Sequence, residues 1–194
     1  MPAIKAVTVF GGAASGQDPA YRRAALALGE GLAQAGITVI YGGGGIGIMG
    51  AVADGALGAG GHVIGIIPDF LARREVAHRG VSEMIVTDSM HSRKSRMFEM
   101  SDAFITLPGG LGTLDETFEM ITWRQLDLHN KPILICDIGG WAAPFMALID
   151  TLVGQGFALP SARALYEVVD STDAVLARLR QVPAGDQAVE TEQL

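Results

Sequence analysis

Apolar residues along this chain come in short unbroken runs, separated by longer stretches in which they recur every three or four positions. The runs Ala6–Phe10, Ile37–Tyr41, His62–Ile67, Met84–Thr87, Ala103–Leu107 and Ile133–Cys136 have strand length and little polar alternation, the pattern of strands buried on both faces. Helical periodicity fills the intervals. Asp18 and Pro19 start a helix that Gly36 stops after about Ala35, a second runs to about Ala59, and a third spans about Met90 to Met100. Leu114, Phe118 and Ile121 mark the next one. Further helices are expected from about Ala142 to Gln155 and, behind an N-cap at Ser171, through Arg180, with Val168-Val169 as a last short strand. Phe70–Ser82, which holds Arg73, Arg74, Glu75, His78 and Arg79, has no clear period and reads as a loop or short helix at the edge of a site. Strand and helix alternate without repeat or linker. This predicts one α/β domain over residues 1–182, a doubly wound parallel sheet with helices on both faces. Pro183–Leu194 is polar and acidic and reads as a disordered tail.

Three of the runs pass directly into glycine-rich loops, at Gly11–Gly16, Gly42–Gly50 and Pro108–Gly112. Ligands of parallel sheets bind at these carboxyl ends. The third loop is the most informative, because Leu107-Pro108-Gly109-Gly110-Leu111-Gly112-Thr113 leads from a buried strand into a helix. Glycines let the backbone approach a ligand closely, and the first N–H groups of the helix are unpaired at its positive end. Phosphate is the expected guest. Glu116, one turn into that helix, would repel it unless the acid served another purpose. On spacing, two readings of Glu116 stand side by side: Thr113-Leu-Asp-Glu116 fits a capping box, and the same carboxylate could be catalytic.

Composition removes several classes of function. The chain has 194 residues, a net charge of −7, 49% hydrophobic residues and 26 glycines, so it is globular and is expected to bind neither nucleic acid nor an anionic membrane. Its one cysteine, Cys136, excludes an intrachain disulfide and sits in an apolar run, where an inert buried thiol is expected. A start that goes straight into a strand, with no signal-peptide core and no apolar run of membrane-spanning length, predicts a cytoplasmic protein. Against the acidic background, Met90-His91-Ser92-Arg93-Lys94-Ser95-Arg96 places three cations in the first half of a helix, where each costs about a few tenths of a kcal/mol. A solvated basic face and a group poised for an anion are both consistent with that. The helix precedes the strand of the third loop, so Arg93 and Lys94 could reach the strand end that carries Gly110 and Glu116.

Other chemistries are weaker. Gly45-Ile-Gly47-Ile-Met-Gly50 matches the dinucleotide pattern G-x-G-x-x-G, with Asp69 about twenty residues on. It lies in the second βα unit, however, and Asp69 follows Pro68 beyond the strand end. No glycine loop continues into a Walker lysine, no serine occupies a nucleophile elbow, and His62, His78, His91 and His129 lack ligand spacing, so neither a metal nor a cofactor is expected.

Pro108 to Glu116 resembles the P-G-G-x-G-T-x-x-E signature of the "Lonely guy" family, the cytokinin riboside 5′-monophosphate phosphoribohydrolases, often labelled lysine decarboxylases. Gly42–Gly50 is similar to that family's glycine run, and Met90-His91-Ser92-Arg93-Lys94 to its M-H-x-R-K. Ser101 to Phe104 and Ile121-Thr122-Trp123 also fit, and the resemblance spans about Phe10 to Phe157. It implies a Rossmann-like homodimer that hydrolyses the N-glycosidic bond of an adenine-type nucleoside 5′-monophosphate, AMP or a cytokinin ribotide, to free base and ribose 5-phosphate. By position it implies Arg93 and Glu116 as catalytic residues. It also implies Glu75, Lys94, Gly110, Leu111, Gly112, Thr113 and Thr122 as substrate contacts, and Met90, Gly109, Gly45 and Ser15 complete the candidate set. One departure falls in the first loop, where Gly11-Gly12-Ala13-Ala14 replaces a Cys-Gly-Ser-Ser run. Two hydroxyls are lost there, with Ser15 a candidate to replace one, which bears on substrate affinity.

The residue types suit this reaction. N-glycoside cleavage passes through an oxocarbenium-like sugar, so a carboxylate beside the anomeric carbon can stabilise the charge and activate water. Glu116 is that candidate. Arg93 could help the purine depart or orient Glu116 and the ribose, and a pyridoxal Schiff base on Lys94 has no further signature behind it. A non-catalytic nucleotide or cofactor carrier on the same fold is the alternative; it would need the glycine cradle but neither Arg93 nor Glu116. Met120, Trp123 and Leu126 lie outside the Leu114/Phe118/Ile121 stripe, which predicts a second apolar helix face and a homodimer built on it.

Overall fold

A computed structural model describes residues 4–72 and 77–182, so Arg73, Arg74, Glu75 and the tail Pro183–Leu194 lie outside the described residues. In chain order the elements are β1 (Ala6–Phe10), α1 (Pro19–Gln34), β2 (Thr38–Tyr41), α2 (Gly47–Gly58), β3 (Val63–Pro68), the single turn α3 (Asp69–Ala72), β4 (Glu83–Thr87) and α4 (Met90–Met100). They continue with β5 (Ala103–Thr106), α5 (Leu111–Gln125), β6 (Ile133–Cys136), α6 (Ala143–Gly154), β7 (Glu167–Val169) and α7 (Thr172–Leu179). Asp18 caps α1 as expected, its side chain accepting from the Ala20 N–H, and Ser171 caps α7 through the Ala174 N–H. A short 3-10 helix at Pro160–Ala164 was not anticipated from the sequence.

All seven strands are parallel, in the order β4-β3-β2-β1-β5-β6-β7. The chain builds outward from β1 to β4, then returns to lay β5 on the other side of β1, with Val7 opposite both Val39 and Ala103. The reversal between β1 and β5 leaves the loops after these two strands on either side of a crevice, the place where open α/β sheets bind ligands. Alternate strand residues feed two cores. Val7, Val9, Val39, Tyr41 and Ile105 pack with α1, α2 and α7, while Phe10, Ile40, Ile66, Phe104 and Ile135 pack with α4, α5 and α6. The small residues of α2 serve a close helix–helix approach as well as the sheet. A Cβ on Gly29 of α1 would stand 2.1 Å from the Val52 carbonyl oxygen, and one on Gly55 of α2 would stand 2.2 Å from that of Leu26.

Helix α5 is rotated from its expected setting. It buries Thr113, Glu116, Thr117, Met120, Ile121 and Trp123, whereas Leu114 and Phe118 are only partly buried at its flank, Phe118 against the Phe145 ring. Met120 and Trp123 therefore belong to the core of the chain itself, with Trp123 edge-on to Phe98 at 5.0 Å between ring centroids. Of the three residues expected to form a partner face, only Leu126 is exposed. The apolar stripe was misassigned because this helix packs polar threonines and a glutamate inward at its first turns.

Candidate active site

The site is assembled where three glycine loops interlock. The Gly12 N–H donates to the Pro108 carbonyl at 3.1 Å, and the Gly12 carbonyl accepts from the N–H groups of Ile48 at 2.9 Å and Met49 at 3.2 Å. A side chain at Gly109 would place Cβ 2.1 Å from Thr113 Oγ1 and 2.7 Å from the Gly12 nitrogen. Gly47 has φ of +69°, and a Cβ there would lie 2.3 Å from the Ala13 carbonyl oxygen. Only glycine fits these approaches. The interlock also decides which helix end is open. The first turn of α2 is engaged by Gly12, so the Gly45-Gly47-Gly50 run packs loops together instead of receiving a dinucleotide diphosphate. At α5, by contrast, the N-cap is Gly110, no side chain caps the first amides, and the space around Gly110 and Gly112 is empty. An uncapped helix N-terminus at the switch point favours an anion by its own electrostatics.

The capping-box reading of Glu116 is overturned here. Thr113 is the third residue of α5 and lies inside the helix, so it cannot exchange capping bonds with Glu116. A capping box does exist one helix earlier, between Ser89 and Ser92 at the start of α4. Glu116 instead faces Arg93, with Nη2 3.4 Å from Oε1 and both side chains almost completely buried. Burial pushes the Glu116 carboxyl up to about 6, against the opposing pull of the Arg93 charge. Arg93 Nη1 points to Met90 Sδ at 3.7 Å, and its Nε is buried with no partner. Gly42 makes room for the guanidinium, since a Cβ there would stand 2.1 Å from Nη2. Arg93 and Lys94 of α4 are thus answered by carboxylates of α5. Lys94 Nζ lies 3.2 Å from Asp115 and 3.0 Å from Glu119, while Arg96 pairs with Glu99 on the surface.

A cleft of about 630 Å³ opens over the pair and the α5 N-terminus. Of the residues expected in the site, it is lined by Ser15, Met90, Arg93, Gly109, Gly110, Leu111, Gly112, Thr113 and Glu116. Gly45, Lys94 and Thr122 are not on its walls, and Glu75 lies outside the described residues. Thr122 is exposed two turns further along α5, and the Lys94 ammonium is occupied by its two acids. Ala13 and Ala14 line the cleft where hydroxyls were expected, next to Ser15. Tyr21, Met49, Leu71 and Trp141 were missed from the sequence; they supply an apolar wall. A usable signal existed for Trp141, which follows the end of β6 and the two left-handed glycines Gly139 and Gly140. Any aromatic just past a strand's carboxyl end is a candidate ligand contact in this class of sheet. Chemically, the cleft offers an amide cradle for an anion, a carboxylate that is both ionised and basic near neutral pH, and a guanidinium with a donor to spare.

Comparison with known proteins places this geometry. The family model described as "Possible lysine decarboxylase" matches residues 49–179. The cytokinin riboside 5′-monophosphate phosphoribohydrolase of Rhodococcoides fascians is 40% identical over 180 residues, covering 92% of this chain and 91% of the relative. The protein of the same name, LOG, from Oryza sativa subsp. japonica is 44% identical over 162 residues, covering 84% of this chain and 67% of the relative. Among solved structures, TM1055 superposes with a TM-score of 0.69 at 24% identity, covering 92% of this chain and 99% of that one. The molybdenum cofactor carrier protein of Chlamydomonas reinhardtii does so with 0.69 at 22% identity, covering 91% and 96%. These two likenesses show a shared fold. On the match to the family model and on the extent and level of identity to its curated members, the chain belongs to the Lonely guy family of cytokinin riboside 5′-monophosphate phosphoribohydrolases.

Proposed function

We propose that this protein hydrolyses the N-glycosidic bond of adenine-type nucleoside 5′-monophosphates, releasing the free base and ribose 5-phosphate. The observation that carries the reading is the buried Arg93–Glu116 pair beside the uncapped N-terminus of α5. The 5′-phosphate rests on the amides of Gly110 to Thr113, which sets the ribose over Glu116. As the C1′–N9 bond breaks, its electron pair leaves with the purine and positive charge develops at C1′. The Glu116 carboxylate stabilises that charge and takes a proton from the attacking water, while the departing base takes up a proton at nitrogen. A carboxyl held near 6 is ionised at neutral pH yet more basic than an exposed glutamate, which suits both tasks. Arg93 Nη2 orients Glu116, and its unpartnered Nε is available to the sugar or base. A pure carrier would gain nothing from burying this ion pair, which costs desolvation energy unless the charges are used.

The same reading places the enzyme in the cytoplasm as a homodimer. Among the described residues no helix is long and apolar enough to cross a membrane. Support for a dimer comes from the family resemblance and from the exposed apolar side chains Leu126, Leu148, Phe157 and Leu159.

The test of the activity is turnover of AMP against adenosine by the purified protein, with adenine and ribose 5-phosphate measured as products. AMP is expected to be cleaved and adenosine to react poorly, because only the nucleotide engages the cradle. Equal turnover of the two would sink the reading.

A further inference from the structure

Beneath the site runs a chain of buried hydroxyls that the reaction itself does not use. Thr106, the last residue of β5, and Thr117, the residue after Glu116, are each about 1% exposed. Their hydroxyl oxygens lie 2.8 Å apart, and Thr117 Oγ1 donates to the Thr113 carbonyl at 2.7 Å. A hydroxyl has one proton. Since Thr117 gives its proton to Thr113, Thr106 must be the donor to Thr117, and the chain has one direction: Thr106 to Thr117 to the Thr113 carbonyl. It links the end of β5 to the first turn of α5, the turn that supplies the phosphate cradle. The only side chain between Thr113 and Thr117 that enters the cleft is Glu116.

This arrangement is not needed for burial. Apolar residues of the same shape at both positions would pack the sheet–helix interface with nearly the same stability, because a buried hydrogen bond contributes little net free energy once both partners are removed. What the hydroxyls add is direction. Hydrophobic packing tolerates a small rotation or slide of the helix, whereas the 2.8 Å bond from Thr106 to Thr117 does not, and the bond from Thr117 to the Thr113 carbonyl within α5 fixes which way the Thr117 hydroxyl points. A slide of α5 would change the 3.4 Å approach of Arg93 to Glu116 and the position of the Thr113 amide together. Lys94, bonded to Asp115 and Glu119, holds the outer flank of the same helix, so Glu116 lies between an inner and an outer tether.

We infer that Thr117, bonded to Thr106, is a positioning residue that sets the place of the Glu116 carboxylate and of the α5 N-terminus for the hydrolysis proposed above, on which this inference rests. The test is a comparison of Thr117→Val, Thr117→Ser and Thr106→Val. Thr117→Val is expected to lower kcat on AMP by roughly tenfold or more while KM changes by less than about threefold, the cost of misplacing a reacting group by a fraction of an ångström. Its acid-side pH limb should move with kcat. Thr117→Ser keeps the hydroxyl and should restore both. Titration of the Glu116 carboxyl, followed by infrared difference against Glu116→Gln, should shift in Thr117→Val and return in Thr117→Ser. That readout does not depend on turnover. A protein that fails to cleave AMP but shows these titration shifts would remove the proposed activity and leave the positioning role intact. If Thr117→Val does not fold, Thr106→Val, which keeps the Thr117–Thr113 bond, should show the same changes at smaller size. The inference is overturned if kcat and the titration stay at wild-type values in the valine variants. It is equally overturned if Thr117→Ser loses as much as Thr117→Val, since the methyl group would then be what matters.

Discussion

At the scale of the residue, Glu116 shows how one side chain's role depends on what it meets. It neighbours a phosphate cradle, yet its carboxylate is turned to Arg93 and buried. Glu116→Gln removes charge and basicity while keeping shape, so kcat on AMP is expected to drop by roughly a hundredfold or more, with nucleotide binding retained. Near-native turnover in steady-state assays would leave the carboxylate without a catalytic role. The raised carboxyl also sets a pH signature. The wild-type enzyme should lose activity as pH falls through about 6, where Glu116 takes up its proton. Stability runs the other way. The folded state holds the Glu116 proton more tightly than the unfolded chain, so this group's contribution falls as pH rises from about 4.5 to about 6. Urea titrations should show wild type losing about 2 kcal/mol relative to Glu116→Gln over that interval. Gly42→Ala is a second probe. Its Cβ would occupy the space of Arg93 Nη2, so it should reduce turnover without touching any residue of the cradle.

Among elements, α4 and α5 form the working unit, and the entry to β6 locks them from below. Lys131, buried, donates from Nζ to the Phe98 carbonyl near the end of α4 at 2.6 Å and stands 4.0 Å from the Phe98 ring centroid. His129 bonds the Met120 carbonyl of α5 at 2.9 Å and accepts from the Lys131 N–H at 3.1 Å. With Nδ1 accepting, His129 is neutral and carries its proton on Nε2. Burial pushes it down to about 4. The sign follows directly: between the unfolded value near 6.5 and about 4, the unfolded chain binds the proton and the folded chain does not. His129 therefore contributes stability that is present above about 6.5 and lost as pH falls towards 4, worth about 3 kcal/mol over the interval. Denaturant midpoints measured in the Glu116→Gln background isolate this effect, and His129→Gln should flatten the slope. A slope unchanged by that substitution would move the acid sensitivity elsewhere.

For the whole molecule, the strand reversal between β1 and β5 creates the crevice, and the loop interlock engages the first turn of α2 while the N-terminus of α5 stays uncapped. Because Gly12 engages the first turn of α2, NAD should not stabilise the protein. AMP at a hundred times its dissociation constant should stabilise it by about 2.7 kcal/mol, a rise in Tm of several degrees. Thermal shift with both ligands checks this, and a comparable rise with NAD would contradict the loop assignment. The homodimer is tested by light scattering at micromolar concentration, where a monomeric mass would count against it. Leu126, just past the end of α5, is the one of the three expected partner-face residues left exposed to serve such a contact.

Much of this was present in the sequence by itself. The alternation of strands and helices, the caps at Asp18 and Ser171, and the glycine turn into α5 are consequences of local backbone preference and of periodicity. Both act over a few residues and can be read in order. The order of the elements already brought Arg93 and Lys94 within reach of the strand end that carries Glu116, but which cation meets the carboxylate depends on α4 and α5 lying side by side on one face of the sheet. Three features were decided by tertiary structure alone. Gly12 closes one helix N-terminus and leaves the other open; threonines and a glutamate, with Met120, Ile121 and Trp123 and not Leu114 and Phe118, form the buried side of α5; and Tyr21 and Trp141, far apart in the chain, both line the cleft. The physical reason is the same for each. Local rules fix what a segment becomes, but strand order and helix rotation fix what it touches, and those are settled by packing between residues that are distant in the chain.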